Sequence, residues 1–273
     1  MTRSNVKSAV KTLIAFAVAA VYLAPILWLL MCSFKQNEEI FDLPPKYLFS
    51  PTIDNYSAVL GDGQYLKALL NSTIAAAVVA AITVVLGSMA AYALVRGSLR
   101  RTDSVKFFAI STRMGLPLGL LISYFLIFKH LDMLGSRLSL IIVYTNMNLG
   151  FAIWMMLGFF ESIPKSIEEA ALVDGCGRVS AFLRVAIPLV RPGLAATAIF
   201  TFIMCWNEFP YAMILSDLRN LTVPVIIPNY LGVIRLEWGH LSAAGMLTAA
   251  PVMIFAMVIQ KHFVKGLTFG AVD

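Results

Sequence analysis

The chain has 273 residues, of which 59% are hydrophobic and 13% charged, with a mean hydropathy of +0.82 and a net charge of +6 at pH 7. Soluble domains are about half apolar and about one-quarter charged, and here the apolar residues come in long blocks. This excludes an ordinary cytosolic enzyme, a disordered regulator and, with three Cys in all, a secreted disulfide scaffold.

A helix crossing the hydrocarbon core needs roughly 20 largely apolar residues. Six segments qualify: Thr12–Met31, Thr73–Val95, Phe107–Phe128, Leu138–Phe160, Gly193–Leu215 and Leu241–Ile259. They predict an all-α membrane protein in a lipid bilayer, a single domain over residues 1–273. A β-barrel is excluded, because the segments are continuously apolar rather than alternating. The first span follows Arg3, Lys7 and Lys11, as a secretory signal would. Its apolar stretch exceeds the usual ~7–15-residue signal core, and no small-x-small site follows Met31, so it is read as retained.

The connector from about Ser33 to Ser72 holds Glu38, Glu39, Asp42, Pro44-Pro45 and Asn55-Tyr56. It is either a solvated link or a cap that a partner touches. Gly87 with Ala91, and Gly115 with Gly119, are small-residue pairs that let helices approach closely. Pro25, Pro117, Pro210 and Pro251 lie within four of the spans, as bends or as hinges. The turn from Lys129 to Arg137 is tight. The segment Ser216–His240, with Pro224, Pro228, Tyr230 and Trp238, has room for a short interfacial helix. His130, His240 and His262 fall one per segment, without metal-ligand spacing, so no metal site is expected.

Basic residues set orientation. With the N-terminus inside, the inner segments hold Arg3, Lys7, Lys11, Arg96, Arg100, Arg101, Lys106, Lys165, Arg178, Arg184, Arg191, Lys261 and Lys265. The outer ones hold Lys35, Lys46, Lys67, Lys129, Arg137, Arg219 and Arg235. Both termini are therefore expected in the cytoplasm. The same bias accounts for much of the pI of about 9.3, so no nucleic-acid partner is expected.

The inner segment Glu161–Pro192 reads ESIPKSIEEAALVDGCGRVSAFLRVAIPLVRP. Ser166 and Glu169 have capping-box spacing behind Pro164, and Glu168 and Glu169 suit the positive end of a helix dipole. Gly175 is placed to end that helix. A second short helix is expected over about Val179 to Ala186, stopping before Pro188. Ile167, Leu172, Val173, Phe182 and Leu183 form an apolar surface with no soluble domain in this chain to cover it, which suggests a docking element.

Glu169-Ala170-Ala171, followed after three residues by Gly175 and later by Pro188, resembles the EAA loop of binding-protein-dependent ABC importer permeases. The family pattern I-x-L-P is here Val185-Ala186-Ile187-Pro188, a conservative apolar departure. Further matches to the carbohydrate-uptake branch, of the maltose and glycerol-phosphate type, are Ala90-Ala91-Tyr92-Ala93-Leu94 and Ser111-Thr112-Arg113-Met114. Others are Phe151-Ala152-Ile153-Trp154, Trp206-Asn207-Glu208-Phe209 and Gly266-Leu267-Thr268. The resemblance implies the type I importer permease fold, with the loop 161–192 as its coupling element. It implies that Glu169, Ala170, Ala171, Asp174, Gly175 and Pro188 couple to an ATPase, with Glu169 facing a basic residue there. The implied partners are a second permease, an ABC ATPase dimer, an extracytoplasmic solute-binding protein and a carbohydrate or polyol cargo. ATP and Mg would be bound by the ATPase, leaving this chain without a cofactor and without catalysis. The C-terminal stretch from Lys265 could also reach toward the ATPase, and the implied location is a bacterial or archaeal cytoplasmic membrane.

Charged residues within spans are functional candidates, and Arg113 and Glu208 are the two well inside. Tyr144, Asn146, Asn148, Trp206 and Asn207 add amides, a hydroxyl and aromatic faces suited to a polyol. The same residues could instead serve as interhelical hydrogen-bonding glue. Two other functions are weighed. An autonomous carrier or channel predicts inverted repeats, and none is found. An intramembrane enzyme needs paired acids or a comparable catalytic set, and only Glu208 and Arg113 are available. The chain has no G-x-x-x-x-G-K-[ST] loop for ATP.

Overall fold

The computed structural model describes residues 3–97, 102–114, 117–231 and 237–268, with side chains over 10–97, 104–109, 111, 119–231 and 237–257. Every regular element among them is helical. The chain divides into two compact units, Met1–Leu66 with Ile226–Pro251, and Lys67–Val225 with Val252–Asp273.

The first unit opens with α1 (Arg3–Ser33), which carries Pro25 within it. Its apolar side chains, among them Leu13, Phe16, Val21 and Tyr22, are exposed on the protein, the surface that lipid covers in a spanning helix. The connector that follows is largely exposed but not structureless: it contains α2 (Asn37–Ile40) and α3 (Asp54–Gly61). Buried polar groups fold it, because the last carbonyls of a helix need donors. Asn55 Nδ2 donates to the carbonyls of Ser33 at 3.0 Å and Lys35 at 2.8 Å. Lys35 is buried, donates to the Lys46 carbonyl at 2.5 Å and lies 5.1 Å from the Phe49 ring centroid. The start of α4 (Gly63–Arg96) packs Tyr65 fully inside, its hydroxyl 3.2 Å from Thr248 Oγ1.

In the second unit α4 continues to Arg96, followed by α5 (Thr102–Met114), a 3-10 turn at Pro117–Leu120, α6 (Leu121–His130) and α7 (Arg137–Glu161). The expected third span, Phe107–Phe128, is therefore not one continuous helix. The interruption among the described residues is the 3-10 turn, where Pro117 lacks a backbone donor and Gly119 has weak helix propensity. After α7 come α8 (Lys165–Val173), α9 (Arg178–Ala181), a π turn at Phe182–Ala186, α10 (Ile187–Leu189), α11 (Arg191–Trp206) and α12 (Pro210–Leu215). The expected fifth span, Gly193–Leu215, is likewise broken, at 207–209. The segment expected to hold a short interfacial helix contains α13 (Val223–Ile226) and a 3-10 turn at Ile227–Leu231, and α14 (Trp238–Thr268) closes the chain with Pro251 inside it. Pro210 thus opens a new helix and Pro117 begins a 3-10 turn, while Pro25 and Pro251 sit inside continuous helices.

Among the described residues, four stretches are long and apolar enough to cross a bilayer as single helices: Val10–Ser33, Gly63–Arg96, Arg137–Glu161 and Trp238–Met257. The pair Arg178–Leu189 and Arg191–Trp206 passes the same test together, bent by 77°. The core of the second unit has two parts. One joins Val79, Phe128, Val143, Tyr144, Tyr211 and Leu215, and the other Ala91, Met156, Phe160, Ala186 and Val190. Helices α4 and α7 meet backbone to backbone at Gly87, where an added Cβ would lie 2.8 Å from Ala152 Cβ. The Gly115 member of the other small-residue pair lies outside the described residues, as do the side chain of Arg113 and the side chains and end of the C-terminal tail.

Candidate functional site

The loop 161–192 is built outward from the end of α7. Pro164, with φ −57° and ψ 130°, occupies the N-cap position, so α8 starts at Lys165. The expected capping box is not formed: Ser166 is already inside the helix and the N-cap makes no side-chain hydrogen bond. Glu169 is thereby left exposed, and among the described residues it makes no ion pair. Ala170, Asp174 and Gly175 are exposed beside it, and Ala171 is half-buried. The helix ends as expected at Gly175, whose φ of +88° is a left-handed conformation that glycine adopts without steric cost. The Cys176 amide donates to the Ala171 carbonyl at 3.0 Å and the Gly175 amide to that of Leu172 at 3.1 Å, the paired bonds of a Schellman ending.

The second helix of the loop does not stop before Pro188. A π turn at Phe182–Ala186 passes into α10, which contains Pro188 near its start, and the chain turns only at Val190. Phe182, expected on the exposed apolar surface, instead packs against Tyr92, with ring centroids 4.7 Å apart. Ile167, Leu172, Val173, Val179 and Leu183 are exposed.

Glu168, one residue before the motif, is the buried member of α8, at 5% exposure. Its Oε1 accepts from Arg96 Nε at 2.9 Å and is 2.9 Å from Arg96 Nη2. Its Oε2 accepts from the Tyr92 hydroxyl at 2.8 Å. Arg96 Nη2 also donates to the carbonyls of Ile163 at 2.8 Å and Phe160 at 3.3 Å, closing the end of α7. Next to this cluster lies a cavity of about 590 Å³, lined by Ala93, Lys165, Glu169, Leu172, Arg178 and Ala181 together with Tyr92, Arg96, Gly97 and Glu168. Sequence reasoning assigned Glu168 only to the helix dipole and Arg96 only to topology. No spacing rule joins residues 72 positions apart.

The intramembrane polar residues fall into two groups. Tyr144, Asn148 and Glu208 come together where α7 meets the break between α11 and α12, with Trp206 at the end of α11 beside that break. The Tyr144 hydroxyl donates to Glu208 Oε2 at 3.0 Å, and Asn148 Nδ2 donates to the Tyr144 carbonyl at 2.8 Å. Glu208 also accepts from the amides of Tyr211 at 3.0 Å and Ala212 at 3.1 Å, capping the first turn of α12. Trp206 is buried and stacks on Phe202, with centroids 5.5 Å apart. Asn146 and Asn207 stand apart and exposed. Asn146 donates to the Tyr124 hydroxyl at 2.6 Å and Asn207 to the Ile203 carbonyl at 2.8 Å. Among the described residues no group of His, Cys, Asp and Glu could hold a metal ion.

Residues 83–269 match the family described as binding-protein-dependent transport system inner membrane component. The chain is 33% identical over 267 residues to the trehalose/maltose transport system permease protein MalG of Thermococcus litoralis, with 94% of each chain covered. It is 34% identical over 250 residues to the sulfoquinovosyl glycerol transport system permease protein SmoH of Agrobacterium fabrum, covering 91% of this chain and 88% of that one. A crystal structure of a bacterial ABC transporter involved in the import of the acidic polysaccharide alginate shares the fold, with a TM-score of 0.79 at 24% identity over 96% of this chain and 99% of that chain.

Proposed function

Because the chain belongs to the family of binding-protein-dependent transport system inner membrane components, and is thus a permease subunit of an ABC importer, we propose that its cargo is a carbohydrate or related polyol. The cargoes named for its relatives, trehalose or maltose and sulfoquinovosyl glycerol, support that class. In this reading residues 1–273 form one permease domain with six crossings, the third and fifth broken. Both termini are cytoplasmic, in a bacterial or archaeal cytoplasmic membrane. The subunit forms half of the pathway beside a second permease, receives cargo from an extracytoplasmic binding protein, and draws its energy from a separate ABC ATPase dimer that binds ATP and Mg.

The observation that carries the coupling role is α8 itself, a short helix with Glu169 and Ala170 exposed and a fixed ending at Gly175. Glu169 meets a basic side chain of the ATPase, Ala170 and Ala171 allow close approach, and Asp174 and Gly175 shape the turn. Pro188 lies where the loop returns to the membrane. Asn146 and Asn207, exposed with amide groups, and Arg113 are the candidates for cargo contact. Tyr144, Asn148 and Glu208, joined by hydrogen bonds, and the buried Trp206 frame that path. The test is Glu169→Lys in the complex reconstituted in vesicles. ATP-driven uptake should fall by about tenfold or more, in the range of ordinary coupling energies, while the chain still inserts. Normal uptake by that variant would overturn the assignment.

A further inference from the structure

Helix α8 is attached to the rest of its unit in an unusual way. Its buried side chain is a carboxylate, Glu168, rather than an apolar residue, and beside that carboxylate lies a cavity of about 590 Å³. A buried ion pair is seldom more stabilising than apolar packing of similar volume. It does impose geometry, because charge-assisted hydrogen bonds hold only within a narrow range of length and angle, whereas apolar surfaces can slide. Glu168 uses both oxygens, one toward Arg96 and one toward Tyr92. Arg96 in turn grips two carbonyls at the end of α7, so a single guanidinium joins α4, α7 and α8.

We infer that the Tyr92–Arg96–Glu168 cluster is the rigid link through which displacement of α8 moves α4 and α7, making Arg96 and Glu168 positioning residues for energy coupling. This rests on the reading of α8 as the ATPase contact and adds where the motion goes next. Glu169 is exposed and receives the displacement, and Glu168, its buried neighbour, passes it on.

The experiment uses the whole transporter, reconstituted in lipid vesicles with its second permease, ATPase and loaded binding protein. Cargo imported per ATP hydrolysed is measured for Arg96→Gln, Glu168→Gln, Arg96→Lys and Tyr92→Phe. Arg96→Gln and Glu168→Gln should still co-purify with the ATPase and hydrolyse ATP at a basal rate within about twofold of wild type. Their import per ATP should fall by about tenfold, as expected when a coupling free energy is lost. Arg96→Lys keeps a cation within reach of Glu168 and should restore about half of that ratio, and Tyr92→Phe should fall between. Wild-type ratios in the two Gln variants would overturn the inference. So would loss of the ATPase on purification, which would make the cluster a builder of the loop rather than its link, or an Arg96→Lys variant no better than Arg96→Gln. Failure of the underlying reading would appear elsewhere, as normal uptake and normal import per ATP in Glu169→Lys.

Discussion

Gly87→Ala tests whether α4 and α7 depend on direct backbone approach. The new Cβ would meet Ala152 Cβ at 2.8 Å, the Ala152 carbonyl carbon at 3.1 Å and the Ile153 amide nitrogen at 3.3 Å. Carbon atoms attract best at about 3.5–4.0 Å. Two of the three neighbours are backbone, so no rotamer change makes room, and the helices must part by roughly 1 Å to restore ordinary contact. Overpacking of this kind costs about 1–3 kcal/mol, which is read as a lowered midpoint of thermal unfolding in detergent. The same movement draws Arg96 on α4 away from the Ile163 carbonyl, so cargo imported per ATP should fall as well. Ala152→Gly removes the nearest neighbour but leaves the two backbone contacts. The double variant should therefore recover about half of the lost stability, a coupling of roughly 0.5–1.5 kcal/mol between touching sites. Wild-type stability in Gly87→Ala, or strict additivity of the two changes, would refute the close approach.

Three further outcomes are expected. Asn55→Ala removes both donors that close the end of α1 and should destabilise the connector by about 1–3 kcal/mol, the cost of buried groups left unbonded; limited proteolysis between α2 and α3 should then quicken in the variant. Glu208→Ala strips the cap from α12 and should cost about 1–2 kcal/mol, lowering the unfolding midpoint, whereas Glu208→Gln keeps an acceptor for Tyr211 or Ala212 and should cost less. Gly175→Ala forces a side chain into a left-handed conformation at a cost of roughly 1–2 kcal/mol, and hydrogen exchange at the amides of Gly175 and Cys176 should speed up in proportion.

The parts of the coupling loop that depend on local chemistry were readable from the residues. Gly175 ends α8 because the αL conformation favours glycine wherever the helix is placed, and Glu169 and Ala170 are exposed as the motif implies. The helix start was misplaced by local reasoning of the same kind. Ser166 and Glu169 have the spacing of a capping box, but Pro164 already sets the turn and leaves them inside the helix. The prolines of the spans were visible, yet whether each bends or breaks its helix was not. Pro25 lies within a continuous helix, while Pro210 opens a new one whose first amides are taken up by Glu208.

By itself the sequence determined the apolar segments, the basic bias between them and the loop motif. Each is a property of neighbouring residues, set by hydrocarbon thickness, charge and backbone propensity. Tertiary structure alone decided that Asn55 and Lys35 fold the connector, that Glu208 serves as a cap, and that Glu168 rather than Glu169 faces inward to Arg96. Those choices depend on which distant backbone groups are buried without water and therefore need a partner. Adjacent glutamates of identical chemistry take different roles because one is buried against a guanidinium and the other is exposed.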